Sequence, residues 1–170
     1  MWIKHGYLFG MPHDPPNTIP WPPLIYLGAA AIALFLHGQW PIAWPQANTT
    51  LALIGVFLLV VAIAIEVFAA FTFRKCRTTI LPHRAASVLI TSGPFAFSRN
   101  PIYVANTLLL AGAGFAFGIG WLLIMAPMAA LATQELAIKR EEQHLAEKFG
   151  SAWASYAART SRWIGGTRTM

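Results

Sequence analysis

Residues 51–73 carry a single charge, Glu66, in 23 positions, and they run directly into Arg74-Lys75. At 1.5 Å per residue such a run matches the hydrocarbon thickness of a bilayer, about 30 Å. It is too long for a buried strand and too apolar for the surface helix of a soluble domain. The rest of the chain agrees. Of 170 residues, 56% are hydrophobic and 11% charged, with a mean hydropathy of +0.54, whereas soluble domains carry about 25% charged residues. The expected class is an all-α, polytopic integral membrane protein forming one domain over residues 1–170.

Other spans follow from the remaining apolar runs. A polar, proline-rich arm, 1–19, precedes an apolar stretch from Pro22 to about His37, bracketed by Trp21 and Trp40 as interfacial anchors. The uncharged segment Gly38–Thr50 reads as an interfacial loop. Residues 102–138 contain no Lys or Arg. One helix of that length would reach about 55 Å, nearly twice the hydrocarbon thickness. Gly112, Gly114, Gly118 and Gly120 lie near its middle, so two short helices joined by a turn near 117–120 are expected. About four transmembrane helices result, the last two a short hairpin.

Charge sets the expected orientation. Eleven of the twelve Lys and Arg residues fall in 74–99 and 139–168. Basic segments flanking apolar runs belong on the cytoplasmic side, against anionic lipid. Four spans with both termini cytoplasmic satisfy every loop. The same placement explains the formal charge of +6 without nucleic acid. Beyond 139 the chain turns polar, and Leu145, Phe149, Trp153 and Tyr156 recur on one helical face. A C-terminal amphipathic cytoplasmic helix is expected, which Gly150 weakens without abolishing. The lone Cys76, among Arg74, Lys75 and Arg77, reads as a juxtamembrane thiol, and His83 as a surface histidine. No ligand spacing suggests a metal.

The chemistry-bearing positions fall in two blocks. Thr91-Ser92-Gly93-Pro94-Phe95-Ala96-Phe97-Ser98-Arg99-Asn100-Pro101-Ile102-Tyr103 is polar and turn-rich between apolar runs. Pro101 suits the first turn of the next helix, with Asn100 as its N-cap. Such a helix start offers free N–H groups to an anion, although a plain loop-to-membrane cap explains the same residues. In the second block, Lys139-Arg140-Glu141-Glu142, Glu142 shares the apolar face of Leu145 and Phe149, where a carboxylate is unwelcome without a partner. It reads either as a solvated charge run or as a carboxylate aimed into a site at the membrane surface. Glu66, about 12 Å inside its helix end, is either a functional intramembrane acid or a snorkelling one.

The two blocks together resemble the isoprenylcysteine carboxyl methyltransferase family in its bacterial form, a family related to the membrane phospholipid methyltransferases. The resemblance rests on Gly93-Pro94-Phe95 followed by Arg99-Asn100-Pro101-Ile102-Tyr103, and on Arg140-Glu141-Glu142, Leu145, Phe149-Gly150, Tyr156 and Arg162-Trp163. It covers about 77–164, and implies an S-adenosyl-L-methionine-dependent membrane methyltransferase domain in which 1–76 supply the arm and first two spans and 77–164 the cofactor-binding catalytic region. It implies that Phe97, Arg99, Asn100, Pro101 and Tyr103 line the cofactor pocket from one side and Glu141 and Glu142 from the other. Tyr103, Glu142 and Arg140 are the implied catalytic residues, with Arg140 or Arg159 holding an acceptor carboxylate. The implied acceptor is a lipophilic small molecule or a membrane lipid, presenting a carboxylate, amine or thiol. Asn100 stands where eukaryotic-type members have His, and Ala96 where Arg is common. An NADPH-dependent membrane reductase of related fold and a non-catalytic membrane scaffold are the alternatives.

Overall fold

The computed structural model describes residues 21–42, 48–76 and 88–165. The N-terminal arm, Arg77, His83 and Arg84 lie outside these. Among the described residues every regular element is helical: α1 (Trp21–Gln39), α2 (Thr49–Lys75), α3 (Pro101–Phe117), α4 (Gly120–Thr133) and α5 (Lys139–Arg159), with a 3₁₀ turn at Gly93–Ala96 and a π turn at Gln134–Ile138. Three helical stretches are long and apolar enough to cross a membrane, and α3 is a shorter apolar helix. The expected hairpin is present. Gly118 ends α3 in the left-handed region, φ 69°, where a side chain would strain the backbone, and its N–H returns to the Gly114 carbonyl.

Small residues decide how the helices pack. Without a hydrophobic drive between helices in lipid, close backbone approach supplies the contact. Ala62, Ala69 and Ala105 are fully buried along the α2–α3 seam. At Gly55 a β-carbon would lie 2.3 Å from the Ala116 nitrogen and 2.7 Å from the Gly112 oxygen. On the other side of α3, Tyr26, Ala29 and Ala33 of α1 pack with Leu110, Leu122, Ala126 and Ala129. The outward side chains of α2, including Leu53, Phe57, Val60, Ile63 and Phe71, remain exposed, as lipid-facing residues should.

Contacts at the helix ends give an antiparallel bundle. Trp121 Nε1 donates to the Trp40 carbonyl at 2.7 Å, joining the end of α1 to the start of α4. At the opposite end the Tyr26 phenol meets the Tyr103 carbonyl and the Thr107 hydroxyl, joining the first halves of α1 and α3. The end of α2 lies there too, with Phe73 packed edge-on against Phe95. This second end collects Arg74, Lys75, Arg99, Arg159 and Arg162, and is called the basic end below.

Two features of the C-terminal part differ from expectation. The polar helix is not a separate element: α4, the π turn and α5 form one helical path from Gly120 to Arg159. And Gly150 does more than weaken α5. Its φ of 50° and ψ of −120° are non-helical, so the path kinks there, in open space where its absent side chain meets nothing. Leu145 and Phe149 before the kink are half-buried, whereas Trp153 and Tyr156 after it are buried.

Candidate functional site

The loop at the basic end is built from its prolines. Gly93 enters the 3₁₀ turn where a β-carbon would meet Thr72 Oγ1 at 2.7 Å, so the loop lies directly on the end of α2. Pro94 opens that turn and Pro101 opens α3, both buried. Between them the backbone turns back on itself, with Ser98 Oγ accepting from the Asn100 N–H at 3.0 Å.

The segment after α5 is laid along this loop. The Arg99 N–H donates to the Ser161 carbonyl at 2.9 Å. Asn100 Nδ2 donates to the Arg162 carbonyl at 3.0 Å. The Tyr156 hydroxyl donates to the Phe95 carbonyl at 2.7 Å, and burial pushes its pKa upward, so it stays a donor at any ordinary pH. Tyr156→Phe keeps the ring and removes that donor. It is expected to cost about 1 kcal/mol, read as a lowered unfolding temperature in detergent.

The two glutamates turn toward the loop and find different partners. Glu141 accepts the Tyr103 hydroxyl, at 3.0 and 3.2 Å from its two oxygens. Glu142, with a side chain 14% exposed, takes the Arg162 fork through Nε at 3.0 Å and Nη2 at 2.6 Å, and Arg99 Nη1 at 3.2 Å. Hydrogen bonding to Glu142 pushes the Arg162 guanidinium above its usual range, which keeps it charged throughout. The Arg99 guanidinium also stacks over the Trp153 ring, 5.7 Å from its centroid. Its Nε is buried with no hydrogen-bond acceptor among the described residues. Two guanidiniums thus share one carboxylate, and the cluster carries positive charge. Beside it lies an open depression of about 350 Å³ lined by Arg99, Arg159, Thr160, Ser161 and Arg162, among others.

Of the residues singled out in sequence, Arg99, Asn100, Pro101, Tyr103, Glu141 and Glu142 converge at this end. Phe97 does not join them. It is 73% exposed, because the turn that buries Pro94 and Ser98 leaves the intervening ring outside. Arg140 is also exposed, since the π turn rotates the helix and brings Glu141 inward instead. Asn100 occupies the N-cap position but its side chain does not cap. Its amide is turned to the Arg162 carbonyl instead, and the Tyr103 N–H bonds the Asn100 backbone carbonyl. Glu66 is half-buried within α2, and Cys76 is the C-cap of that helix. Sequence reasoning missed the structural parts of Ser98, Trp153 and Arg162. Arg162 and Trp163 belong to the second signature, but no spacing rule connects them to residues over sixty positions earlier.

The phospholipid methyltransferase family model matches residues 49–152, more than half of the sequence. This protein belongs to the phospholipid methyltransferase family. Membership and the apolar helices together make it an integral membrane protein. The match starts at α2, earlier than the 77–164 over which the sequence motifs were recognised. Among curated proteins the chain is similar to the cobalt-zinc-cadmium resistance protein CzcN of Cupriavidus metallidurans, 29% identical over 131 residues, covering 76% of this chain and 55% of that protein. It is similar also to the nickel-cobalt-cadmium resistance protein NccN of Alcaligenes xylosoxydans xylosoxydans, 27% identical over 140 residues, covering 80% of this chain and 59% of that one. The chain thus spans somewhat over half the length of these relatives. No solved structure matches. Among the described residues no three His, Cys, Asp or Glu side chains gather in a way that could hold a metal ion.

Proposed function

We propose that the basic end binds S-adenosyl-L-methionine and that the protein transfers its methyl group to a lipophilic or small apolar acceptor bearing a carboxylate, amine or thiol. The observation that carries this reading is the meeting of the Pro101 helix start with the Glu141–Glu142 pair, through the Tyr103–Glu141 hydrogen bond and the Arg99–Glu142 ion pair. The side chains present suit such a ligand. Arg99 Nε, buried and without an acceptor, is a waiting donor for a carboxylate. Glu141 is a carboxylate at the same end, the group type that accepts from ribose hydroxyls or an ammonium. When bound, the cofactor supplies an electrophilic methyl on a sulfonium.

The protein's own part is positioning. Glu141 holds the Tyr103 phenol, and through it the first turn of α3, at a fixed height. The Arg162 fork holds Glu142 against Arg99, so the loop and the C-terminal segment move as one body. In-line approach of acceptor and methyl at about 3–3.5 Å needs that rigidity more than it needs acid–base chemistry. The basic end faces the cytoplasm in this reading, so the soluble cofactor enters from water and the acceptor enters sideways from lipid. Membrane lipids are then both solvent and a candidate acceptor pool. The relatives' association with metal resistance names no methyl acceptor.

Titration calorimetry of the purified protein with S-adenosylhomocysteine tests the proposal. Saturable heat at micromolar ligand is expected, and absence of heat at high micromolar ligand would overturn it. A nicotinamide-dependent signal in its place would favour a reductase. Labelled methyl transfer into membrane extracts would then identify the acceptor class.

A further inference from the structure

Four buried residues, Leu122, Ala126, Ala129 and Thr133, form the inward stripe of α4. In an uninterrupted α-helix each residue turns by about 100°, so positions near seven and eleven beyond Thr133 would continue that stripe. Those positions are Arg140 and His144. At Arg140 the chain does not follow this course, although His144 stays half-buried. Ala137 and Ile138 are both fully buried, Arg140 is exposed, and Glu141 and Glu142 face the loop. The inward stripe has moved by one residue. The move happens within Gln134–Ile138, where the Lys139 N–H bonds back to the Gln134 carbonyl and closes a wide π turn. A π turn absorbs one extra residue into a helix, and such turns recur at functional sites.

We propose that this π turn is the register device of the site: it places the carboxylates Glu141 and Glu142, rather than the cation Arg140, opposite Tyr103 and Arg99, with Gln134 and Trp163 as the positioning residues that hold it. Trp163 Nε1 donates to Gln134 Oε1 at 2.8 Å. The adjacent Arg162 grips Glu142. Two consecutive residues therefore hold the helix on both sides of the wide turn. Relaxation to a plain α-helix would rotate Gln134 relative to Glu142 by about 100°, and both grips could not survive. The wide turn costs helix geometry, and these two bonds offset that cost. The claim about catalysis rests on the cofactor reading above, whereas the claim about register does not.

The two are tested separately. In a Cys76→Ala background, cysteines at 103 and 141, or at 103 and 140, are treated with a short bis-maleimide in membranes. With the latch intact the 103–141 pair links and the 103–140 pair does not. Trp163→Phe, which keeps the ring and removes the donor, is expected to shift linking to 103–140. In the native-cysteine chain it should weaken S-adenosylhomocysteine binding about tenfold. Deleting Glu135, an exposed residue of the π turn, removes the extra residue. Combined with Trp163→Phe it should restore the 103–141 link and return affinity to within about threefold of wild type. Gln134→Glu, which keeps the acceptor, should behave as wild type, and Gln134→Leu as Trp163→Phe. A merely structural role predicts that a deletion on top of a latch variant makes matters worse. Linking that stays at 103–141 in Trp163→Phe, or that the deletion fails to restore, overturns the register proposal. Linking that behaves as described in a protein without S-adenosylhomocysteine binding overturns the cofactor reading alone.

Discussion

Glu142→Ala is expected to abolish S-adenosylhomocysteine binding and to lower stability by about 3 kcal/mol. The size follows from what the carboxylate neutralises. It is the shared anion of Arg99 and Arg162, whose side chains are 15% and 34% exposed. Removing it leaves two guanidiniums facing each other, one of them already with a buried nitrogen lacking an acceptor. Glu142→Gln should fall between, since an amide keeps one acceptor but no charge. Thermal unfolding in detergent reads the stability change and calorimetry the binding. A Glu142→Ala protein that binds as wild type would show that the ion-pair cluster lies outside the cofactor site.

Gly55→Leu is expected to be the most damaging change within the membrane helices. A β-carbon at residue 55 would lie inside the van der Waals envelope of the α3 backbone, at Ala116 and Gly112. Backbone atoms cannot swing aside as a side chain does, so α2 and α3 must separate along their length. A cost of about 3 kcal/mol is expected, together with loss of binding, because Gly93 and the site loop rest on the far end of α2. Gly28→Ala is the control. A β-carbon there meets nothing within 4 Å, and its unfolding temperature should be unchanged or slightly higher, as alanine favours helix. Unfolding midpoints for the two variants, measured in the same detergent, decide the matter; similar values would mean that the seam is not tightly packed.

The features legible in the sequence were those with a local cause. The α2 span was readable to within two residues at either end because hydrocarbon solvates nothing charged, and Arg74-Lys75 mark its limit. The α3–α4 hairpin was readable because only a glycine-rich stretch could turn in so little chain. The two halves of the site were visible as polar blocks at helix ends, and the signature residues Arg99, Asn100, Pro101, Tyr103, Glu141 and Glu142 do come together. What could not be read was rotation. Helical periodicity assumes a constant 3.6 residues per turn, and nothing in Gln134-Glu135-Leu136-Ala137-Ile138 announces a wide turn. Arg140 therefore looked as eligible as Glu141 from sequence and proves exposed. The exposure of Phe97 was unreadable for a related reason: a single turn of 3₁₀ geometry decides which of several neighbouring side chains faces in, and composition is silent on that. The roles of Trp153 and Arg162 depend on contacts with residues in other elements, Arg99 for the first and Ser98, Asn100 and Glu142 for the second, which periodicity cannot register.

The Arg162 carbonyl and side chain together reach Ser98, Asn100 and Glu142. In chain order that residue follows all the helices among the described residues. Because synthesis is vectorial, translation must have delivered all of the helices to the bilayer before the loop at 93–100 can be closed over. Until Arg162 has emerged, an inserted intermediate therefore exposes half-formed pairs of arginine and glutamate rather than a finished enclosure.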